Sequence, residues 1–287
     1  MPGMTGDGHR RAELEITSAA NPRIKQLVAL RRRRGRDEAG VTLVEGVAEI
    51  RLALSAGVEP ETLYYCPELY PAGADEIVAA AATLGAQVIR VPRPVFEKVS
   101  YREGPDGLLA VVPPVPSSLD RLTVSTSPLV LVCAGLEKPG NLGAILRTAD
   151  AAGVEAVIAA DPVTDWGNPN VVRASKGTVF SVPVASGTSA QVLDWIAGHG
   201  LRMVAATPDA ELLLTAADLT GPVAIAVGAE QTGLPGRWLD RADVRVRIPM
   251  FGLADSLNVS TSAAIIAYEA VRQRTRGADL NSAAPVR

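Results

Sequence analysis

Two hydrophobic patterns divide this chain. From about residue 128 onward, short unbroken apolar runs alternate with segments whose apolar positions recur every three to four residues. Leu129–Leu136, Ala156–Ala160, Val182–Ala185, Met203–Ala206 and Val223–Val227 are runs of the first kind. Each predicts a buried strand, because a strand with one wet face would alternate apolar and polar. Val244–Ile248 is also predicted as a strand. Between them, Asn141–Ala152, Pro169–Val179 and Ala190–Ala197 have helical spacing, and Ser256–Arg274 predicts a long final helix. Alternation of this kind gives a mostly parallel sheet covered by helices, so the expected fold class is α/β.

Residues 42–112 show a smaller unit of the same class. Strands are predicted at Thr42–Val44, Thr62–Cys66, Gln87–Val91 and Leu108–Val112, and helices at Glu49–Ala56, Asp75–Leu84 and Pro94–Val99. Pro113-Pro114-Val115-Pro116-Ser117-Ser118 then breaks every period and reads as linker. The expected organisation is a small domain over 1–112, a linker over 113–124 and a larger domain over 125–287, whose last residues, 277–287, carry no pattern.

Composition narrows the function classes. The chain has 287 residues, 47% hydrophobic and 21% charged, which is globular. With three Phe, three Trp and five Tyr, its core must be aliphatic, and a row of stacking aromatics for nucleic acid is excluded. Cys66 and Cys133 sit in apolar stretches and read as buried thiols. Together with His9 and His199 they are too few for a disulfide scaffold or a Cys/His zinc site, so no metal is expected. The first fifteen residues are polar with no apolar signal-peptide core, and no run is long enough to span a bilayer. A cytoplasmic protein without a membrane partner is expected.

Net charge is −3, so any basic surface must be local. Residues 1–40 hold nine basic and five acidic side chains, a net of +4, centred on Arg31, Arg32, Arg33, Arg34 and Arg36. Behind the helical spacing of 21–30 this segment suits a phosphate backbone or is simply a solvated basic stretch.

Three familiar signatures fail. Gly135–Leu142 begins like a phosphate loop but lacks the Lys-Ser/Thr pair, and its glycines do not make G-x-G-x-x-G. There is no G-x-S-x-G, and His199 reads as a helix-end residue. What remains are three loops, each following a strand, where open α/β sheets bind ligands. The first leads through Asn141, a candidate N-cap, to Arg147, a cation on an otherwise apolar helix that suits either a ligand or a structural ion pair. The second, Val227–Leu234, surrounds Glu230 with turn formers, and Gly228 would permit close approach of a ligand or make a tight turn. The third, Ile248–Ser260, leads into a helix whose first turn would carry Ser256, Asn258 and Ser260, as caps or as an anion site.

In order and spacing these loops resemble the three motifs of the SpoU family of trefoil-knot RNA ribose 2′-O-methyltransferases. The motifs are N-x-G-x-x-x-R-T-A at Asn141–Ala149, G-x-E-x-x-G-L at Gly228–Leu234, and I-P-M followed by S-L-N-V-S within Ile248–Ser260. The first domain is similar to the L30e-like substrate-binding domain of such enzymes, through Glu45-Gly46 and its strand–helix order. The resemblance implies S-adenosylmethionine bound in a knot by Thr207, Gly228, Ile248, Met250 and Leu257. It implies catalytic roles for Arg147, Asn141, Glu230, Ser256 and Asn258, and a homodimer in which Arg147 serves the partner's cofactor. It strengthens the phosphate-binding reading of Arg31–Arg36. Likeness to the ribosomal RNA enzymes of antibiotic producers points to a uridine of 23S ribosomal RNA and a role in antibiotic resistance. Transfer RNA, or a non-catalytic RNA-binding module, is the alternative.

Overall fold

The computed structural model describes residues 14–275, so His9 and the 277–287 tail lie outside the described residues. These residues divide into two compact units, one ending at Pro114 and the other beginning at Val115.

The first unit runs β1 (Leu14–Glu15), α1 (Pro22–Ala29), α2 (Arg33–Ala39), β2 (Thr42–Glu45), α3 (Val47–Ser55), β3 (Thr62–Tyr65), α4 (Ala74–Thr83), β4 (Gln87–Arg90), α5 (Arg93–Val99) and β5 (Leu108–Val112). Its sheet has the order β1-β4-β3-β5-β2, with β5 antiparallel to both neighbours. Ile24 and Leu27 of α1 and Phe96 of α5 fill one core with Leu43, Ile89 and Leu109 from alternate strand positions. Glu45, 4% exposed, accepts from the Ser100 hydroxyl and, at 3.0 Å, from the Tyr101 amide. Burial holds its carboxyl above the ordinary range despite those bonds.

The second unit runs β6 (Leu129–Ala134), α6 (Pro139–Ala152), β7 (Ala156–Ala160), α7 (Pro169–Ala174), β8 (Val184–Gly187), α8 (Ser189–Gly198), β9 (Arg202–Ala206), β10 (Leu212–Leu213), β11 (Val223–Gly228), α9 (Gly236–Arg241), β12 (Val244–Arg247) and α10 (Val259–Arg274). All seven strands are parallel, in the order β10-β12-β9-β11-β6-β7-β8. Helices α6, α7 and α10 pack together, while α8 and α9 cover a core of Val130, Val132, Ile158, Ala224 and Trp238. Covered on both faces, the central strands had to be unbroken apolar runs. Parallel winding also brings every strand's carboxyl end to one edge of the sheet.

Several sequence expectations change. The helix expected over 169–179 stops at Ala174, because Lys176 takes a positive φ of 55° and turns the chain into a short 3-10 segment. The last helix begins at Val259 rather than Ser256. Asn141 is not an N-cap. The cap is Lys138, with Pro139 opening α6, so Asn141 is its third residue and its side chain is free to face another loop. The stretch expected as linker is docked onto the second sheet from Ser117 onward. The Ser186 amide donates to the Ser117 carbonyl at 2.8 Å, and Leu122 is buried. Cys66 and Cys133 are both buried, and burial pushes the Cys133 thiol up to about 12. His199 ends α8, its Nδ1 2.8 Å from the Trp195 carbonyl. No helix among the described residues is long and apolar enough to cross a membrane, and no group of His, Cys, Asp and Glu among them could hold a metal ion.

The end of α10 is bolted to the sheet edge opposite the strand carboxyl ends. Arg274 donates through Nε to the Leu219 carbonyl at 3.0 Å, through Nη1 to Ser127 at 2.9 Å, and through Nη2 to Pro128 at 3.1 Å and to Gly221.

Candidate active site at the carboxyl edge of the second sheet

A cavity of about 550 Å³ opens where β9, β11 and β12 end. Thr207, Gly228, Ile248, Met250 and Leu257 all line it, as do Glu230 and Ser256. Lying outside its wall, Asn141 and Asn258 join it through Glu230. The Asn141 Nδ2 donates to Glu230 Oε1, which also accepts from Asn258 Nδ2 at 2.9 Å. Asn258 Nδ2 also reaches Asn141 Oδ1 at 3.2 Å. The second carboxylate oxygen, Oε2, pairs with Lys138 Nζ. Residues more than a hundred positions apart are thereby tied to one carboxylate. The Lys138 ammonium, helped by Asn141 and opposed by partial burial, holds the Glu230 carboxyl below the ordinary carboxylate range.

Local sequence explains these placements. Asn258 caps α10, its Oδ1 accepting from the Ser260 amide at 2.9 Å and the Ser260 hydroxyl at 2.6 Å, which leaves Nδ2 to face Glu230. Gly228 is required by the chain itself. A Cβ there would lie 2.1 Å from the Gly233 carbonyl carbon, because the loop folds back across the strand end. The close approach that its sequence position suggested is therefore made by its own backbone. Gly143, one turn before Arg147, faces α7, where a Cβ would lie 2.5 Å from that of Ala174.

Arg147 is exposed, and among the described residues it has no hydrogen-bond or ion-pair partner, so the structural ion pair does not occur. Six residues beyond Asn141, it lies about 9 Å along α6 and about 120° around it. Asn141 bonds to Glu230 on this chain's own cavity wall, whereas Arg147 is not among the residues that line it. Sequence reasoning passed over Lys138, whose signal was a lone lysine before a helix-opening proline in a lysine-poor chain. It also passed over Asp209, Asp255 and Ser262, which line the cavity without a distinguishing pattern.

In the first unit the five arginines part company. Arg36, 3% exposed, donates to the Leu30 and Arg31 carbonyls at 3.2 and 3.1 Å. Its expected role in touching RNA is corrected, since it is enclosed and holds the α1–α2 turn. Arg31 is half-buried and donates to the carbonyls of Lys98, at 2.7 Å, and Ser100, so it too is committed to the fold. Arg32 is exposed and has no ion-pair partner among the described residues, while Arg33 and Arg34 are exposed and paired to Asp37 and Glu38 one turn on.

Known proteins share this chain's sequence and fold. Residues 128–268 match the SpoU rRNA methylase family, and residues 21–110 match the MRM3-like substrate binding domain. The chain is 34% identical over 278 residues to the 23S rRNA (uridine(2479)-2′-O)-methyltransferase of Streptomyces viridochromogenes, covering 94% of this chain and 96% of that protein. A crystal structure of an RNA 2′-O ribose methyltransferase is 46% identical with a TM-score of 0.82, over 91% of this chain and 99% of that one. The SpoU methyltransferase AviRb from Streptomyces viridochromogenes, solved with AdoMet, is 32% identical with a TM-score of 0.81, over 88% of this chain and 98% of its own. The α/β fold, the parallel sheet and the substrate-binding domain ahead of the methylase domain are thus shared along nearly the whole length, and this chain belongs to the SpoU rRNA methylase family.

Proposed function

We propose that this protein transfers a methyl group from S-adenosylmethionine to the ribose 2′-hydroxyl of a uridine in 23S ribosomal RNA. The cavity where β9, β11 and β12 end, with the three motif loops meeting at Glu230, carries this reading. About 550 Å³ suits a small-molecule cofactor. The lining combines strand-end backbone with the apolar side chains of Met250 and Leu257, which fits an adenosine and a thioether chain. The cofactor, when bound, supplies a methyl group already activated on a sulfonium. The protein's task is then orientation and care of the hydroxyl.

Thr207, Gly228, Ile248, Met250 and Leu257 hold the cofactor. Glu230 fixes Asn141 and Asn258, and these with Ser256 orient the ribose at the cavity mouth. Arg147 acts through its charge and its N–H donors rather than as a base. It binds the phosphate beside the target ribose and stabilises the oxygen as negative charge develops there. Arg147 does not line its own cavity, and it serves that of a second copy. The apolar Ile265 and Tyr268, 38% and 50% exposed on α10, form the face that a homodimer covers. In the first unit, Arg32, Arg33 and Arg34 meet RNA phosphates. The protein works in the cytoplasm without a metal, and its modification shields the ribosome from an antibiotic.

Methyl-labelled cofactor incubated with the protein and separate pools of 23S RNA, 16S RNA and transfer RNA tests this reading. Label on a 23S uridine ribose supports it. Label confined to transfer RNA, or no label, overturns it.

A further inference from the structure

The segment between the two halves of the third motif has no assigned role. Met250 on one side, and Asp255, Ser256 and Leu257 on the other, line the cavity, so residues 251–254 form an arch with both feet on its rim. Among the described residues the arch's apolar side chains are left exposed. Phe251 is 96% exposed and Leu253 103% exposed, and a Cβ on Gly252 between them would meet only open space. Single exposed apolar residues are ordinary, but a ring left wholly in water on the rim of the reaction cavity is not accounted for by packing. Among the chain's three phenylalanines, Phe96 is fully buried and Phe180 half-buried, so Phe251 alone is spread in water.

We propose that Phe251 is the positioning residue for the target nucleotide, its ring stacking on that nucleotide's base. The inference rests on the methyl-transfer reading of the same site. The base is carried on the ribose carbon next to the one bearing the 2′-hydroxyl. A hydroxyl directed into the cavity therefore leaves the base at its rim, where the arch stands. A nucleotide drawn out of folded RNA loses its stacking neighbours, and an aromatic face replaces them without needing a particular hydrogen-bond pattern. Phe251 is almost wholly exposed among the described residues, so its replacement leaves the packing of the described fold intact.

The experiment compares wild type with Phe251→Ala, Phe251→Leu and Phe251→Trp on one 23S RNA fragment, and on the same fragment with its target nucleotide abasic for binding. The alanine variant is expected to raise KM for RNA about tenfold, as removal of one base stack does, with kcat and cofactor affinity changed less than about twofold. Tryptophan restores KM, whereas leucine, equally apolar but without a ring face, does not. On the abasic fragment, wild type and alanine variant bind alike. An unchanged KM in the alanine variant, full rescue by leucine, or a variant that still binds the abasic fragment more weakly than wild type overturns the stacking role. An altered sedimentation of the alanine variant also overturns it, by assigning the ring to an interface between copies. Absence of methyl transfer by the wild type overturns the methyl-transfer reading as well, whereas transfer with an unaltered alanine variant overturns the stacking role alone.

Discussion

A guanidinium that reaches neighbouring carbonyls acts as structure, and one left in water acts as a handle. Arg36 and Arg147 fall on opposite sides of that division. Replacing Arg147 by Ala should lower turnover by at least about a hundredfold, the scale of removing one charge-stabilising donor, while calorimetry finds cofactor affinity nearly intact. Near-normal turnover would remove Arg147 from the mechanism. Glu230 gives a pH test. A carboxylate held below its ordinary range contributes stability that is complete above the ordinary carboxylate pKa, and that stability is lost as pH falls through the lowered folded-state value. Cofactor affinity should therefore persist into acid and then drop. Glu230→Gln, with no proton to take up, should bind more weakly at neutral pH and show no such drop. An identical acid limb in both proteins would place the titration elsewhere.

Helices and strands were legible where burial set their pattern. The five unbroken apolar runs of the second unit are all strands, because a sheet covered on both faces leaves no other composition. Helix ends were less legible. The break after Ala174 depends on one lysine at positive φ, and the late start of α10 on Asn258 bonding to Ser260, both decided by local geometry that an apolar period does not encode. In the site, the three motifs could be read as ligand loops, but their meeting on Glu230 could not, since contacts across such sequence distances leave no local trace. Arg36 was misread for a related reason. Flanked by exposed arginines, it looks identical to them until the α1–α2 turn encloses it. The seam between α6 and α7 supplies a packing prediction. Gly143→Ala puts a methyl 2.5 Å from the Ala174 Cβ, an overpacking expected to cost about 1–3 kcal/mol, read as a lower thermal midpoint. An unchanged midpoint would mean the helices separate freely.

At the scale of the whole molecule, net charge limits how RNA can be held. A chain of net charge −3 should not bind RNA by bulk attraction, so its affinity must come from exposed local cations such as Arg32, Arg33 and Arg34. Replacing each by Ser should shrink the slope of log affinity against log salt by about 0.7–0.9 for every phosphate that the variant no longer neutralises. Arg33 and Arg34 should show less than this, because each must first leave a carboxylate. A slope unchanged by all three would assign RNA binding to another surface. Arg274, fastened to four carbonyls at the edge remote from the cavity, divides the second unit into an anchored end and a working end. The ligand-lining loops lie at one end of the strands and this fastening at the other, like jaws and the pin behind them. Drawing that pin, by Arg274→Ala, should make the protein melt earlier yet leave the grip of the jaws on the cofactor unaltered.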